Sequence, residues 1–161
     1  MPPDSSTGMP DLAGIVGQIL QRVAPERQPL LIAIAERLAA ERYRGWADQM
    51  PDVRRKAELC ACAAREEQIA GRVEALYQNA AAIQRDILAA NPDFEQINRS
   101  LFAGRPLEQQ FTLQAQGERL GAATWRAFAQ REPAACETFL ACAEMEEQSA
   151  DVLESILRAE P

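Results

Sequence analysis

The chain has 161 residues, a formal net charge of −7 and a pI of about 4.7, and it contains no histidine. Its seventeen basic residues include one lysine, Lys56, and they are scattered, whereas phosphate backbones and anionic membranes are bound through dense basic patches. These features argue against a nucleic-acid partner and against a membrane surface. No segment has the pattern of a secretion signal or a membrane span, so we expect a cytoplasmic protein with reduced cysteines.

Helix-forming residues dominate the composition, and no stretch shows the apolar–polar alternation of a strand. The chain is therefore predicted to be all-α. Its length fits one domain with a sizeable core. We expect a flexible tail over residues 1–10 and a single helical domain over residues 11–161.

Two short amphipathic helices are predicted, one beginning at Asp11 and one at Asp93. Each aspartate is an N-cap signal and is followed by apolar residues at helical spacing. Proline and glycine residues then mark a break near 25–29 and near 104–106. Each short helix is therefore expected to end before a longer one starts.

Four long helices account for most of the remaining sequence. Pro51 and Pro133 each end one long helix and suit the first turn of the next. The short connections at these prolines predict antiparallel hairpins, and residues 89–106 are long enough to cross between them. The predicted long helices cover residues 28–48, 52–88, 107–130 and 134–159.

The second half of the sequence repeats the first. Glu36 matches Glu118 at an offset of 118 − 36 = 82, and Glu66 matches Glu146 at an offset of 146 − 66 = 80. The repeat, with halves at about 11–88 and 93–159, predicts a four-helix bundle built by internal duplication. A short solenoid is the alternative, but such arrays usually need three or more repeats.

The four matched glutamates are predicted to point inward. Glu66 interrupts an apolar stripe that includes Leu59 and Val73, and the other three glutamates occupy similar places. Isolated buried carboxylates are costly, and two divalent cations would neutralise four of them. The stripe could also be wide, with the acids near water. The candidate metal ligands are Glu36, Glu66, Glu118 and Glu146.

The run Glu36-Arg-Leu-Ala-Ala-Glu-Arg-Tyr43, followed by Ala63-Ala-Arg-Glu66-Glu-Gln-Ile-Ala70, resembles the ferritin-like superfamily, especially its rubrerythrin-type members. In that family a Glu on one helix and a Glu-x-x-His on the next supply half of a dimetal site. The resemblance implies a ferritin-like fold and a pair of iron or manganese ions. It also implies terminal ligands at Glu36 and Glu118 and bridging ligands at Glu66 and Glu146.

The sequence departs from that family where a histidine would supply nitrogen. Ile69 and Ser149 stand at those positions, so the site would be all oxygen, which suits hard ions such as Mn, Mg or Ca. The expected cofactor is two divalent ions, Fe or Mn, or none. The expected function is metal binding with oxidoreductase or ferroxidase-like activity. The alternative is a metal-free bundle that binds a small ligand or a protein partner.

Two cysteines and two aromatic residues lie near the glutamates in helical register. Cys62 and Cys142 precede Glu66 and Glu146 by one turn and could be thiolate ligands or a redox pair. We interpret them instead as small apolar core residues, because neither has a cationic neighbour in register. The aromatic residues Tyr43 and Trp125 are interpreted as core filling rather than as redox groups.

The helix at 28–48 carries a second apolar face. Leu31, Ile34, Ala35 and Leu38 lie on it, away from the glutamate. A short helix or another subunit must cover this face, so a homodimer is predicted.

Overall fold

A computed structural model of the chain describes residues 8–159, and over that range the protein is all-helical, as predicted. Two 3₁₀ turns, at Pro25–Arg27 and Pro133–Ala135, precede two of the helices. No helix in the described range combines the length and apolar character needed to span a bilayer. The seven α-helices of this range are α1 (Leu12–Leu20), α2 (Gln28–Gln49), α3 (Val53–Glu74), α4 (Ala80–Ala90), α5 (Phe94–Ser100), α6 (Leu107–Arg131) and α7 (Cys136–Ala159).

The two short helices that were predicted to follow aspartates, α1 and α5, are present. The Asp11 carboxylate accepts a hydrogen bond from the Gly14 backbone N–H at 3.1 Å, which is the expected cap. Asp93 instead pairs with Arg22 at 3.0 Å and leaves α5 without a side-chain cap. Most of the predicted tail, residues 1–7, lies outside the described residues.

The single helix predicted over residues 52–88 is wrong, because α3 ends at Glu74 and α4 begins at Ala80. No proline or glycine marks this break, and Asn79, the N-cap of α4, is a weak local signal whose side chain makes no capping hydrogen bond. Tertiary contacts explain it instead. The Tyr77 hydroxyl donates to the Glu26 carbonyl at 2.8 Å, and α4 folds back onto α2.

Two helical hairpins form the body of the protein. Helix α2 packs along α3, α6 packs along α7, and α3 contacts α7. The four helices enclose two apolar clusters. One contains Ile69, Trp125 and Phe139, and the other contains Tyr43 and Leu153. These clusters supply the aromatic residues that contact the buried acids.

The second apolar face of α2 is covered within the chain. Leu31 and Leu38 are buried together with Ile87 of α4 and Phe94 of α5. Short helices therefore provide the cover, which is the first of the two alternatives considered above. The uncovered face is therefore no longer a reason to expect a second subunit, and the homodimer stays a prediction.

Candidate functional site

Four glutamates meet in the interior, one from each long helix. Their exposed fractions are 7% for Glu36, 0% for Glu66, 1% for Glu118 and 2% for Glu146. The predicted inward orientation is confirmed. The alternative of a wide stripe with its acids near water is wrong for Glu66 and Glu118, whereas Glu36 and Glu146 are buried but line a partly enclosed cavity.

Three of these carboxylates converge. Glu36, Glu66 and Glu146 each offer an oxygen atom, and these oxygens all lie within 4.8 Å of one another. Glu118 stands outside this trio, but its charge acts on all three. The structure thus brings together the four residues singled out from the sequence, three of them closely.

Glu118 is held by neutral donors. The Tyr43 hydroxyl donates to its Oε1 at 2.7 Å, and the Gln114 amide donates to the same oxygen at 2.8 Å. Within the described chain, its Oε2 is buried without a hydrogen-bond partner. One side of this carboxylate is therefore fixed, and the other side is available to a ligand.

A relay of hydrogen bonds supports Glu118 from outside. Arg42 donates to the Gln114 side-chain oxygen from Nε at 3.0 Å and from Nη2 at 2.9 Å, and to Asn98 at 3.0 Å. The Arg42 guanidinium also lies 3.8 Å from the centre of the Phe102 ring. Burial lowers the pKa of Arg42 to about 10, so it remains a cation at neutral pH.

Glu146 is held by an aromatic donor and fits against a glycine. The Trp125 Nε1–H donates to Glu146 Oε1 at 2.9 Å. A Cβ atom at Gly121 would lie 2.8 Å from that oxygen, closer than real Cβ contacts allow. The missing side chain of Gly121 therefore makes the room that the Glu146 carboxylate occupies.

Glu66 has fewer hydrogen-bond partners than Glu118 or Glu146. Among the described residues, neither of its carboxylate oxygens has a hydrogen-bond partner, and both are buried. Burial, and next the charge of Glu118, raise its pKa well above the ordinary value of 4.5. Burial also raises the pKa of Glu36 above 4.5. For Glu146, burial and then the charge of Glu36 raise the pKa well above 4.5. Without a cation, burial therefore favours the protonated form of these acids.

The two positions that lack histidine differ in what they do. Ile69 is fully buried in the apolar cluster of Trp125 and supplies no polar atom. The Ser149 hydroxyl accepts a hydrogen bond from Arg65 Nε at 2.9 Å. Neither residue takes the place of a nitrogen ligand.

Cys62 does have a cationic neighbour, so that part of the sequence argument is wrong. Arg65 Nη2 donates a hydrogen bond to the Cys62 sulfur at 3.2 Å. Burial nevertheless raises the pKa of the Cys62 thiol, and it raises that of Cys142 to about 12. Both thiols are protonated at neutral pH, which agrees with their interpretation as core residues. No cysteine of the described residues forms a disulfide.

Sequence reasoning missed the residues that hold the carboxylates in place. Gln114 precedes Glu118 by four residues, so helical spacing alone places it one turn away on the same face. Arg42 gave no such signal, because its partners Gln114 and Asn98 are far away in sequence. Gly121 gave no such signal either, because the carboxylate that it makes room for, Glu146, lies on another helix.

No protein-family model, no curated protein and no solved structure matches this chain. The resemblance to ferritin-like proteins therefore rests on the sequence motifs alone.

Proposed function

We propose that the protein is a ferritin-like four-helix bundle in which Glu36, Glu66, Glu118 and Glu146 bind two divalent metal ions. The bundle would consist of α2, α3, α6 and α7, and the repeated glutamates would descend from a duplicated helical hairpin. The observation that carries the proposal is Glu66, whose two buried oxygens receive no hydrogen bond from an amide, hydroxyl, indole or guanidinium group of the described residues. A cation would supply the missing partner.

The spacing of the oxygens supports this proposal. Oxygen ligands lie about 2.0–2.6 Å from Mg²⁺ or Ca²⁺, so two ligands on opposite sides of one ion are about 4–5 Å apart. The trio of Glu36, Glu66 and Glu146 has oxygens within 4.8 Å of one another. Their spacing therefore suits coordination of a shared ion without rearrangement of the helices.

The charges support it as well. Four ionised carboxylates in a core are unfavourable, and two divalent ions would balance them. The direct protein donors to Glu118 and Glu146 are neutral, namely Tyr43, Gln114 and Trp125, so they orient the carboxylates without cancelling their charge. The negative charge stays available to a metal.

The chemistry of such a site follows from its ligands. An all-oxygen set favours hard ions, and manganese or iron would supply redox chemistry when bound. Ile69 adds no polar atom to the core, while Tyr43 and Trp125 fix the carboxylates that face them. This arrangement is the basis for proposing an oxidoreductase or ferroxidase-like activity.

Elemental analysis of the purified, manganese- or iron-incubated protein tests the proposal. We expect about two ions per chain in the wild type, in keeping with two-metal carboxylate sites, and loss of both in Glu66→Gln/Glu146→Gln. The matched control is Glu67→Gln/Glu147→Gln, which changes the adjacent outward-facing acids of the same helices. It should keep its metal.

Two outcomes would contradict the proposal. One is a wild type that binds no metal, which leaves the metal-free bundle as the better description. The other is equal metal loss in both double variants, which would assign the metal to the protein surface.

A further inference from the structure

An apolar cavity reaches the glutamate site from one side of the protein. It lies between the short helices α1 and α5 and the long helices α2 and α6, and its volume is about 130 Å³. Leu12, Ile15 and Ile97 are among the apolar residues of its wall. Glu36 and Glu146 also line it, whereas Glu66 and Glu118 do not. The cavity therefore opens onto one particular face of the acid cluster.

The size of this cavity fits a compact molecule. An apolar cavity of about 150 Å³ inside a protein holds benzene. The cavity here is of similar size, at about 130 Å³, and is only partly enclosed. A single six-membered ring with a small substituent matches that space.

The polar groups of the cavity wall argue for an uncharged ligand. Moving a charged group from water into this mostly apolar space is costly, and the wall carries both signs, Arg42 against Glu36 and Glu146, so it favours neither a cation nor an anion. The guanidinium of Arg42 already donates to Gln114 and Asn98. Asn98, Gln114 and Thr124 are the other polar residues of the wall, and each already has a hydrogen bond within the protein, so we place the polar atom of the ligand against Glu36 and Glu146.

We propose that this cavity binds a small, uncharged, mostly apolar molecule of single-ring size, whose one polar group faces Glu36 and Glu146. Its apolar part would pack against α1 and α5. Such binding does not need a metal ion. That the bound molecule would also face a metal centre is a consequence that rests on the proposed function.

Phenol is the probe for this proposal, titrated into the full-length, metal-free protein and followed by calorimetry and methyl NMR. We expect saturable binding of one phenol, with nuclear Overhauser contacts from its ring to the methyl groups of Ile15 and Ile97. Benzoate and benzylammonium should bind at least about tenfold more weakly, because each loses the hydration of its charge on entering a mostly apolar space.

A matched pair of variants locates the site. The Cβ of Gly117→Leu would lie 3.6 Å from Leu12, an ordinary contact, and its remaining atoms would occupy the cavity. Gly71→Leu makes the same change in α3, where nothing lies within 4 Å of the new Cβ. We expect phenol affinity to fall by about tenfold or more in the first variant, since its space is filled, and to be unchanged in the second.

The proposal is overturned if wild-type protein shows no saturable phenol binding, if Gly117→Leu binds phenol as well as Gly71→Leu does, or if the charged analogues bind as tightly. If Gly117→Leu does not fold, the contacts to Ile15 and Ile97 in the wild type decide. Metal content is measured separately on the same samples. A protein that binds metal but not phenol refutes the cavity proposal alone, and one that binds phenol but not metal refutes the proposed function alone.

Discussion

Neighbouring glutamates on the same helices have opposite surroundings. Glu67 accepts hydrogen bonds from Arg37 and from Arg44, the latter at 3.0 Å, and its side chain is 33% exposed. Glu66, one position earlier, is fully buried and has no partner among the described residues. The direction in which a carboxylate points therefore decides whether solvent and arginine can satisfy it.

The last helix repeats this contrast. Glu147 pairs with Arg126 at 2.8 Å on the surface, while Glu146 accepts from the neutral Trp125 indole inside. Outer acids are neutralised by exposed cations and contribute little to stability. Inner acids meet neutral donors, so their charge must be removed by a proton or a metal ion.

The largest expected effect is on the pH dependence of stability in metal-free protein. The pKa values of Glu36, Glu66 and Glu146 are raised on folding, so the folded state binds more protons than the unfolded state above pH 4.5. Their favourable contribution is complete below that pH and is lost as the pH rises through the folded-state pKa values. Urea unfolding in EDTA should therefore show lower stability at pH 8 than at pH 5.

The two double variants sharpen this result. Glu66→Gln/Glu146→Gln should flatten the pH profile, and Glu67→Gln/Glu147→Gln should keep its slope. Equal slopes in both variants would show that the interior acids are not the groups that titrate. Manganese at pH 8 should stabilise the wild type by about 2.7 kcal/mol for each ion bound when it is present at a hundred times its Kd.

The next effect in size comes from Gly121→Ala. The new Cβ would lie 2.8 Å from Glu146 Oε1, so the carboxylate or the helix must shift, at a cost of about 1–3 kcal/mol. The metal content should fall as well. Gly45→Ala is the control, because nothing lies within 4 Å of its Cβ and it should gain about 0.5–1 kcal/mol of helix stability. A Gly121→Ala protein as stable as the control, with full metal content, would contradict the tight fit.

The smallest effect is expected for Glu67→Gln alone. This change weakens the contacts with Arg37 and Arg44, which are 45% and 52% exposed. Partly exposed ion pairs contribute about 0–1 kcal/mol, so urea unfolding should move by no more than that. A larger loss would mean that the surface arginines hold α2 and α3 together and that the contrast between inner and outer acids is too simple.

The sequence predicted most of the fold because its signals were local. Pro51 and Pro133 marked the hairpin turns, and the aspartate at position 11 marked the start of α1, where its side chain caps the helix. The division of the third long segment into α3 and α4 could not be predicted in this way. It depends on contacts between residues such as Tyr77 and Glu26, which are distant in sequence.

The candidate site divides along the same line. Helical periodicity alone placed Glu36, Glu66, Glu118 and Glu146 on inward faces. The apolar stripe around each glutamate belongs to a single helix and can be read from that helix's own sequence. Which carboxylate receives a donor and which receives none was decided only when the helices packed. Tyr43 reaches Glu118 from another helix, whereas packing brings Glu66 close to the carboxylates of Glu36 and Glu146 and to no amide, hydroxyl or indole donor.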